Sequence, residues 1–239
     1  MKWGSFGIVH LGTLVLGAAL ITGLYFALRK ASRRVQIGVL GGLSFAGIAA
    51  VIYNLLMWGS PLEYLPLHLC SINALVLPFA VFTRNKQLGN LLLLWGLGAL
   101  AAVVVNTAQA EFEVFSSVFA FYFFPHVLEF GIPILLFALG LVEKDPKCIL
   151  STIGITMGSY TLIHFLNLGI NAYCAANGLD IAVNYMYSLG PEIPLMQVFY
   201  DWIPVPYWYL YCVIPIIAVY LAAVYLPEIL RARKAKQSV

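Results

Sequence analysis

Cys70 and His126 are the residues through which this sequence can be read as chemistry. A thiolate is a strong nucleophile, and an imidazole is the side chain best suited to move its proton near neutral pH. Cys70 closes the stretch Leu65-Pro66-Leu67-His68-Leu69-Cys70, at the mouth of a long apolar run. His68 stands two residues before it, and residues i and i+2 of a regular helix point apart. A base from another element therefore suits Cys70 better, and His126 is the natural candidate. Glu129 follows His126 at i+3, on the same helical face, where a carboxylate would orient and stabilise an imidazole as the third member of a triad does. The plainer reading, in which Glu129 only pairs with a buried neighbour, stands beside it.

The elements that must position these groups are membrane helices. The chain has 239 residues, of which 62% are hydrophobic and only 10% charged, where a soluble domain is about a quarter charged. Hydrocarbon requires backbone polar groups to be satisfied within the segment, so runs this apolar and this long read as transmembrane helices. The expected fold class is all-α: one polytopic membrane helix bundle over residues 1–239. Its seven transmembrane helices are drawn roughly from Phe6 to Leu28, Ile37 to Trp58, Pro66 to Phe82, Gly89 to Ala108, Phe119 to Val142, Ile149 to Cys174 and Tyr207 to Leu226. Of the 13 Lys and Arg, all but Lys2 fall on one side of these spans. The positive-inside rule makes that side cytoplasmic, with the N-terminus out and the C-terminus in. A cell-membrane, multi-pass location follows as the expectation. The basic clusters are explained by topology, and nothing in them asks for nucleic acid.

That topology collects polar groups at one depth. His10, Asn54, His68, Cys70, Asn73, Asn106, His126, Glu129, His164, Asn167 and Asn171 all fall in the outer half of the bundle. Intramembrane ionisable groups are costly and tend to face the bundle interior or a wet cavity, so an outward-facing pocket is expected. Tyr160, His164, Asn167, Asn171 and Cys174 recur at 4-3-4-3 spacing along one helix face. For the asparagines, hydrogen bonding between helices is the preferred reading; for His164, the pocket is. The connection over residues 175–206 is long, aromatic and proline-rich, and is expected to fold back over the bundle. Four cysteines show no C-x-x-C spacing, and no metal-ligand spacing such as H-E-x-x-H is present, so neither metal nor other cofactor is expected.

At these residues a family pattern is visible. The stretch Leu65–Cys70, the aromatic run Phe121-Tyr122-Phe123-Phe124 before His126, Asn184-Tyr185-Met186-Tyr187, and Pro206-Tyr207-Trp208-Tyr209 resemble the YwaF family of bacterial integral membrane proteins, from the second span to the seventh. The resemblance implies kinship with an animal membrane acyltransferase that moves a fatty acyl chain onto lysophospholipids with a cysteine and a histidine. It would make Cys70 the nucleophile and His126 the base. Where that pattern often has a pair of histidines, this chain has Pro125 first, which leaves His126 as the only base on its turn.

The function expected is thus a membrane-embedded acyltransferase or transacylase acting on phospholipid acyl chains. Cys70 and His126 would be catalytic, with His68, Glu129, His164, Asn167, Asn73 and Tyr185 supporting or binding a phospholipid or lysophospholipid. Two other classes stay open: a small-ligand binding or transport protein with a His-lined outer pocket, and a non-catalytic membrane accessory subunit.

Overall fold

Three helix N-termini are set by capping side chains that lie ahead of the apolar runs. In a computed structural model, which describes residues 1–105 and 109–237, the side chains of Ser32, Asn85 and Ser116 accept hydrogen bonds from the backbone N–H of Val35, Leu88 and Phe119. Such caps satisfy donors that the first helical turn leaves unpaired. The helices they open therefore start two to four residues before the points that hydropathy suggests. Eight α-helices result: α1 Ile8–Leu28, α2 Arg33–Met57, α3 Leu69–Thr83, α4 Lys86–Val104, α5 Ser117–Ala138, α6 Cys148–Ala176, α7 Pro194–Trp202 and α8 Val213–Gln237. Single 3-10 turns occupy Pro61–Glu63, Tyr185–Tyr187 and Trp208–Cys212. Among the described residues there is no strand beyond an isolated antiparallel bridge between Lys2 and Glu113.

Among the described residues six segments are long and apolar enough to cross a membrane: α1, α2, α4, α5, α6 and the stretch Trp208–Arg231 that runs into α8. Their outer faces carry large apolar side chains, among them Ile8 at 91% and Leu150 at 81% exposure. A contiguous surface of that kind belongs in hydrocarbon. The segment expected from Pro66 to Phe82 begins instead at Leu69 and, at 15 residues, is shorter than the other six. Pro66 and His68 lie in the turn ahead of it. Asn106 lies outside the described residues.

The chain divides into two compact units, Met1–Gly59 with Leu69–Glu143, and Ser60–His68 with Lys144–Val239. In the first, α5 packs against each of α1, α2, α3 and α4. Pro125 and Pro133 lie inside α5. A proline has no N–H to give the carbonyl four residues back, so the carbonyls of Phe121 and Glu129 lose their helical partner. The N-terminal segment is laced onto the connection before α5: Trp3 N–H donates to Phe112 O and Gly4 N–H to Ala110 O, both at 2.8 Å, and Val114 N–H to Met1 O at 3.0 Å. Lys2 pairs with Glu111, and Trp3 is buried against Val103, Phe119 and Phe123.

In the second unit, the stretch over 175–206 carries the 3-10 turn at Tyr185–Tyr187 and the nine-residue α7. Asn171 clamps the backbone of Val183 on both sides, its Nδ2 donating to Val183 O at 2.9 Å and its Oδ1 accepting from Val183 N–H at 2.8 Å. Lys144, at the start of this unit, pairs with Glu228 of α8 at 3.1 Å.

Candidate functional site

His126 is fixed from within its own helix. Its Nδ1 lies 2.6 Å from the carbonyl oxygen of Tyr122, one turn back. A carbonyl oxygen only accepts, so Nδ1 carries the hydrogen, and in the neutral ring the lone pair is on Nε2. Tyr122 is itself anchored, its hydroxyl donating to Ala102 O on α4 at 2.9 Å. Tyr122 is a residue that the sequence reading passed over as one of an aromatic run. An imidazole with its hydrogen committed at Nδ1 is a base at Nε2.

Around His126 the first unit holds a polar cluster of four candidates. The buried carboxyl of Glu129 is within electrostatic reach of His126 and Cys70 and lies beside the amide of Asn73. Asn73 is fully buried and Glu129 nearly so. Yet Asn73 Nδ2, Asn73 Oδ1 and Glu129 Oε2 make no hydrogen bond of ordinary geometry, a state that buried polar groups rarely keep, so the contact between Asn73 and Glu129 is a loose one. Glycines bring the neighbouring helices close. A Cβ at Gly47 of α2 would stand 2.6 Å from Ala74 Cβ and 3.0 Å from Glu129 Oε1, and one at Gly96 of α4 would stand 3.3 Å from the Glu129 carbonyl oxygen, whose usual helical donor Pro133 removes. These positions tolerate no side chain without displacing the cluster. The sequence signal for them, small residues at helix contacts, is too common to single them out.

Beside the cluster is an apolar cavity of about 320 Å³, within the size range of small-molecule sites. It is lined by Leu14, Gly17, Ala18, Ile21 and Thr22 of α1, Leu100, Val103 and Val104 of α4, and His126, Val127 and Phe130 of α5. His126 is the one titratable side chain in this lining; Cys70 is not part of it. Ala18 and Thr22 are exposed at the unit's surface, so the cavity communicates with whatever surrounds the helices.

His10, in the same unit, is committed elsewhere. Phe6 N–H donates to its Nδ1 at 2.9 Å, so the hydrogen is on Nε2, which lies 2.8 Å from Val103 O. Both nitrogens are used to hold the N-terminal segment in place.

The remaining candidates form a network of their own in the second unit. Asn167 donates from Nδ2 to Tyr185 O at 2.8 Å and to Ser188 Oγ at 2.9 Å, and accepts from Tyr185 N–H at 3.0 Å. His164 Nδ1 lies 3.1 Å from the same Ser188 hydroxyl. The Tyr185 hydroxyl donates to Leu62 O and accepts from Leu65 N–H. His68 Nδ1 accepts from Met186 N–H at 3.3 Å, and its ring meets that of Tyr185 edge-on at 5.2 Å. Burial raises the Tyr185 phenol above its ordinary value. Asn167 and Asn171 thus clamp the backbone of a connection, where bonds between helices were expected. The sequence shows a polar stripe but cannot show that its partners are main-chain atoms.

The same network holds strained backbone. Met186, Tyr187 and Tyr207 all have positive φ, uncommon for bulky residues. Tyr207, at φ 67° and ψ −51°, sits at the centre of a γ-turn closed by Trp208 N–H on Pro206 O at 2.8 Å. That conformation is rare and strained, and it is over-determined. Tyr207 N–H donates to Ser188 O, its carbonyl accepts from the Tyr160 hydroxyl, and its own hydroxyl bonds Thr161 and Tyr211.

Among the described residues no group of three or more His, Cys, Asp or Glu side chains is arranged to hold a metal ion, and all four cysteines are free thiols. Long apolar helices with a half-buried histidine and a buried carboxyl between them define a multi-pass α-helical membrane protein. The sequence matches the TMEM164 family over residues 4–225. The chain belongs to that family. Searches of curated proteins and of solved structures found no match.

Proposed function

We propose that this chain is a membrane-embedded acyltransferase or transacylase of the YwaF type, with Cys70 as nucleophile and His126 as base. The observation that carries the reading is the fixed tautomer of His126 at the edge of an apolar cavity, in a cluster where Glu129 lies within reach of both His126 and Cys70. His126 Nε2 takes the thiol proton. The thiolate attacks the acyl carbonyl of a phospholipid, the ester C–O bond breaks, and the leaving alcohol takes the proton back from His126. A lysophospholipid hydroxyl then resolves the thioester by the same steps in reverse. The cavity suits an acyl chain, and backbone N–H groups at the start of α3 add to the oxyanion's surroundings.

The reading places the protein in the cell membrane with seven spans, N-terminus out and C-terminus in. Pairings within each unit support this arrangement. Lys2 meets Glu111, which needs an even number of crossings from α1 to α4, and so needs the short α3 to cross. Asn90 at the start of α4 bonds Glu143 O after α5 at 3.1 Å, and Lys144 meets Glu228; both are consistent with a cytoplasmic end.

The test is labelling of the membrane-embedded protein with a thiol-reactive acyl probe. Strong labelling that vanishes in Cys70→Ala and falls sharply in His126→Ala is expected. Labelling of Cys70 no better than that of the other cysteines, and indifferent to His126, would sink the mechanism. The second reading, a small-ligand binding or transport protein, is favoured by the unpartnered atoms of Asn73 and Glu129, and that outcome would leave it standing.

A further inference from the structure

We infer that Asn73 is a catalytic residue of the acyl transfer: its side-chain amide donates a hydrogen bond to the acyl carbonyl oxygen as that oxygen becomes an oxyanion. The inference rests on the Cys70 mechanism proposed above and adds a side-chain donor to the backbone N–H groups named there.

Three observations converge on it. Asn73 follows Cys70 at i+3 on α3, so the two side chains share a face one turn apart, about 5–6 Å between Cβ atoms. The amide is fully buried, and neither Nδ2 nor Oδ1 makes a hydrogen bond of ordinary geometry. Finally, it lies beside the carboxyl of Glu129, which is itself within electrostatic reach of Cys70 and His126. A buried amide without a well-formed bond adds little to the fold, and its N–H groups remain able to donate to a group that arrives. Asn167, equally buried, is bonded to Tyr185 and Ser188 through its amide nitrogen and to Tyr185 through its oxygen, which shows what this chain does with an asparagine it uses for structure.

In the reaction, the Cys70 sulfur forms a bond to the acyl carbon and the carbonyl π pair moves onto oxygen. Asn73 Nδ2–H donates to that charged oxygen. When the pair returns, the bond to the alcohol breaks and the alcohol departs with the proton held on His126. A donor set in advance, in a site that excludes water, bonds the oxyanion more strongly than the ground-state carbonyl and so lowers the barrier.

The experiment compares two probes on the full chain in nanodiscs, with Cys70 modification read by intact mass. An activated acyl thioester modifies Cys70 through a tetrahedral oxyanion; iodoacetamide modifies it by direct displacement at a methylene, with no oxyanion. In Asn73→Ala and Asn73→Leu, acylation should slow by about 10²- to 10³-fold while alkylation stays near wild type; Asn73→Ser, which keeps a donor, should recover part of the loss. Acylation unchanged in the variants, or acylation and alkylation falling together, overturns the assignment. A wild-type protein that is alkylated but never acylated at Cys70 removes the proposed function itself, and the two failures are told apart by the wild-type arm alone.

Discussion

Asn73 and Asn167 are both fully buried, and the two units treat them in opposite ways. In the second unit the polar groups are spent: Asn167, Asn171, Tyr185 and Ser188 close on one another and on the backbone of residues 183–188. That network pins a connection and holds strained residues in place. In the first unit Asn73 and Glu129 are buried without that closure, in the company of a histidine whose Nε2 keeps its lone pair and a thiol. A hydrogen bond made in the fold contributes stability, whereas a buried group left unmade costs it and is retained where something other than folding uses it. The difference separates a scaffold from a site more sharply than the residue types do, since the types are the same.

The comparison can be broken at its strongest point by removing the chemistry while keeping the fold. Cys70→Ala should abolish acyl-enzyme formation outright, and His126→Ala should lower it by roughly 10²–10⁴-fold; intact mass after a timed pulse of acyl probe measures both. Asn167→Leu should be the largest stability loss, about 3 kcal/mol or more, because it strands a buried carbonyl and an N–H of Tyr185. Thermal unfolding in detergent and faster hydrogen exchange over residues 183–188 would register it. Asn73→Leu should change thermal stability by no more than about 1 kcal/mol, since no bond of ordinary geometry is lost and a buried amide is removed. If both substitutions destabilise alike, the contrast fails. Tyr185→Phe loses the bonds to Leu62 and Leu65 and should cost about 1–2 kcal/mol.

The smallest effect is one of pH. The Tyr185 phenol, outside the spans, is raised above its ordinary value of about 10 by burial. A raised acid favours the neutral form in the fold, so its contribution is fully present below the unfolded value and is lost as pH climbs through the folded one. Melting of the second unit should therefore be insensitive to this group up to about pH 10 and decline above it, and Tyr185→Phe should flatten that decline.

Hydropathy and charge made most of the helices legible. The apolar runs marked α1, α2, α4, α5, α6 and the last crossing segment, with errors at the ends where Ser32, Asn85 and Ser116 extend the helices into polar sequence. Direction around the helix axis was not legible. His10 and His126 belong to the same unit, yet one is locked between Phe6 and Val103 while the other keeps its Nε2 lone pair. Pro66 drew the third helix too far back. The turn it occupies belongs to a stretch held by the Tyr185 hydroxyl at Leu62 and Leu65, a partner more than a hundred residues away. Such main-chain acceptors leave no trace in local sequence.

The lacing of residues 1–4 onto 109–114 bears on how the protein is made. The partners of Lys2 lie 109 residues downstream, which at ordinary rates of synthesis is a wait of roughly 5–20 s. During that interval Trp3 has no Phe119 or Phe123 to bury against, and α1 must be held in the membrane by its own apolarity. The seam can close only after α4 and the start of α5 have been made, so the first residues of the chain are among the last to reach their final contacts in this unit.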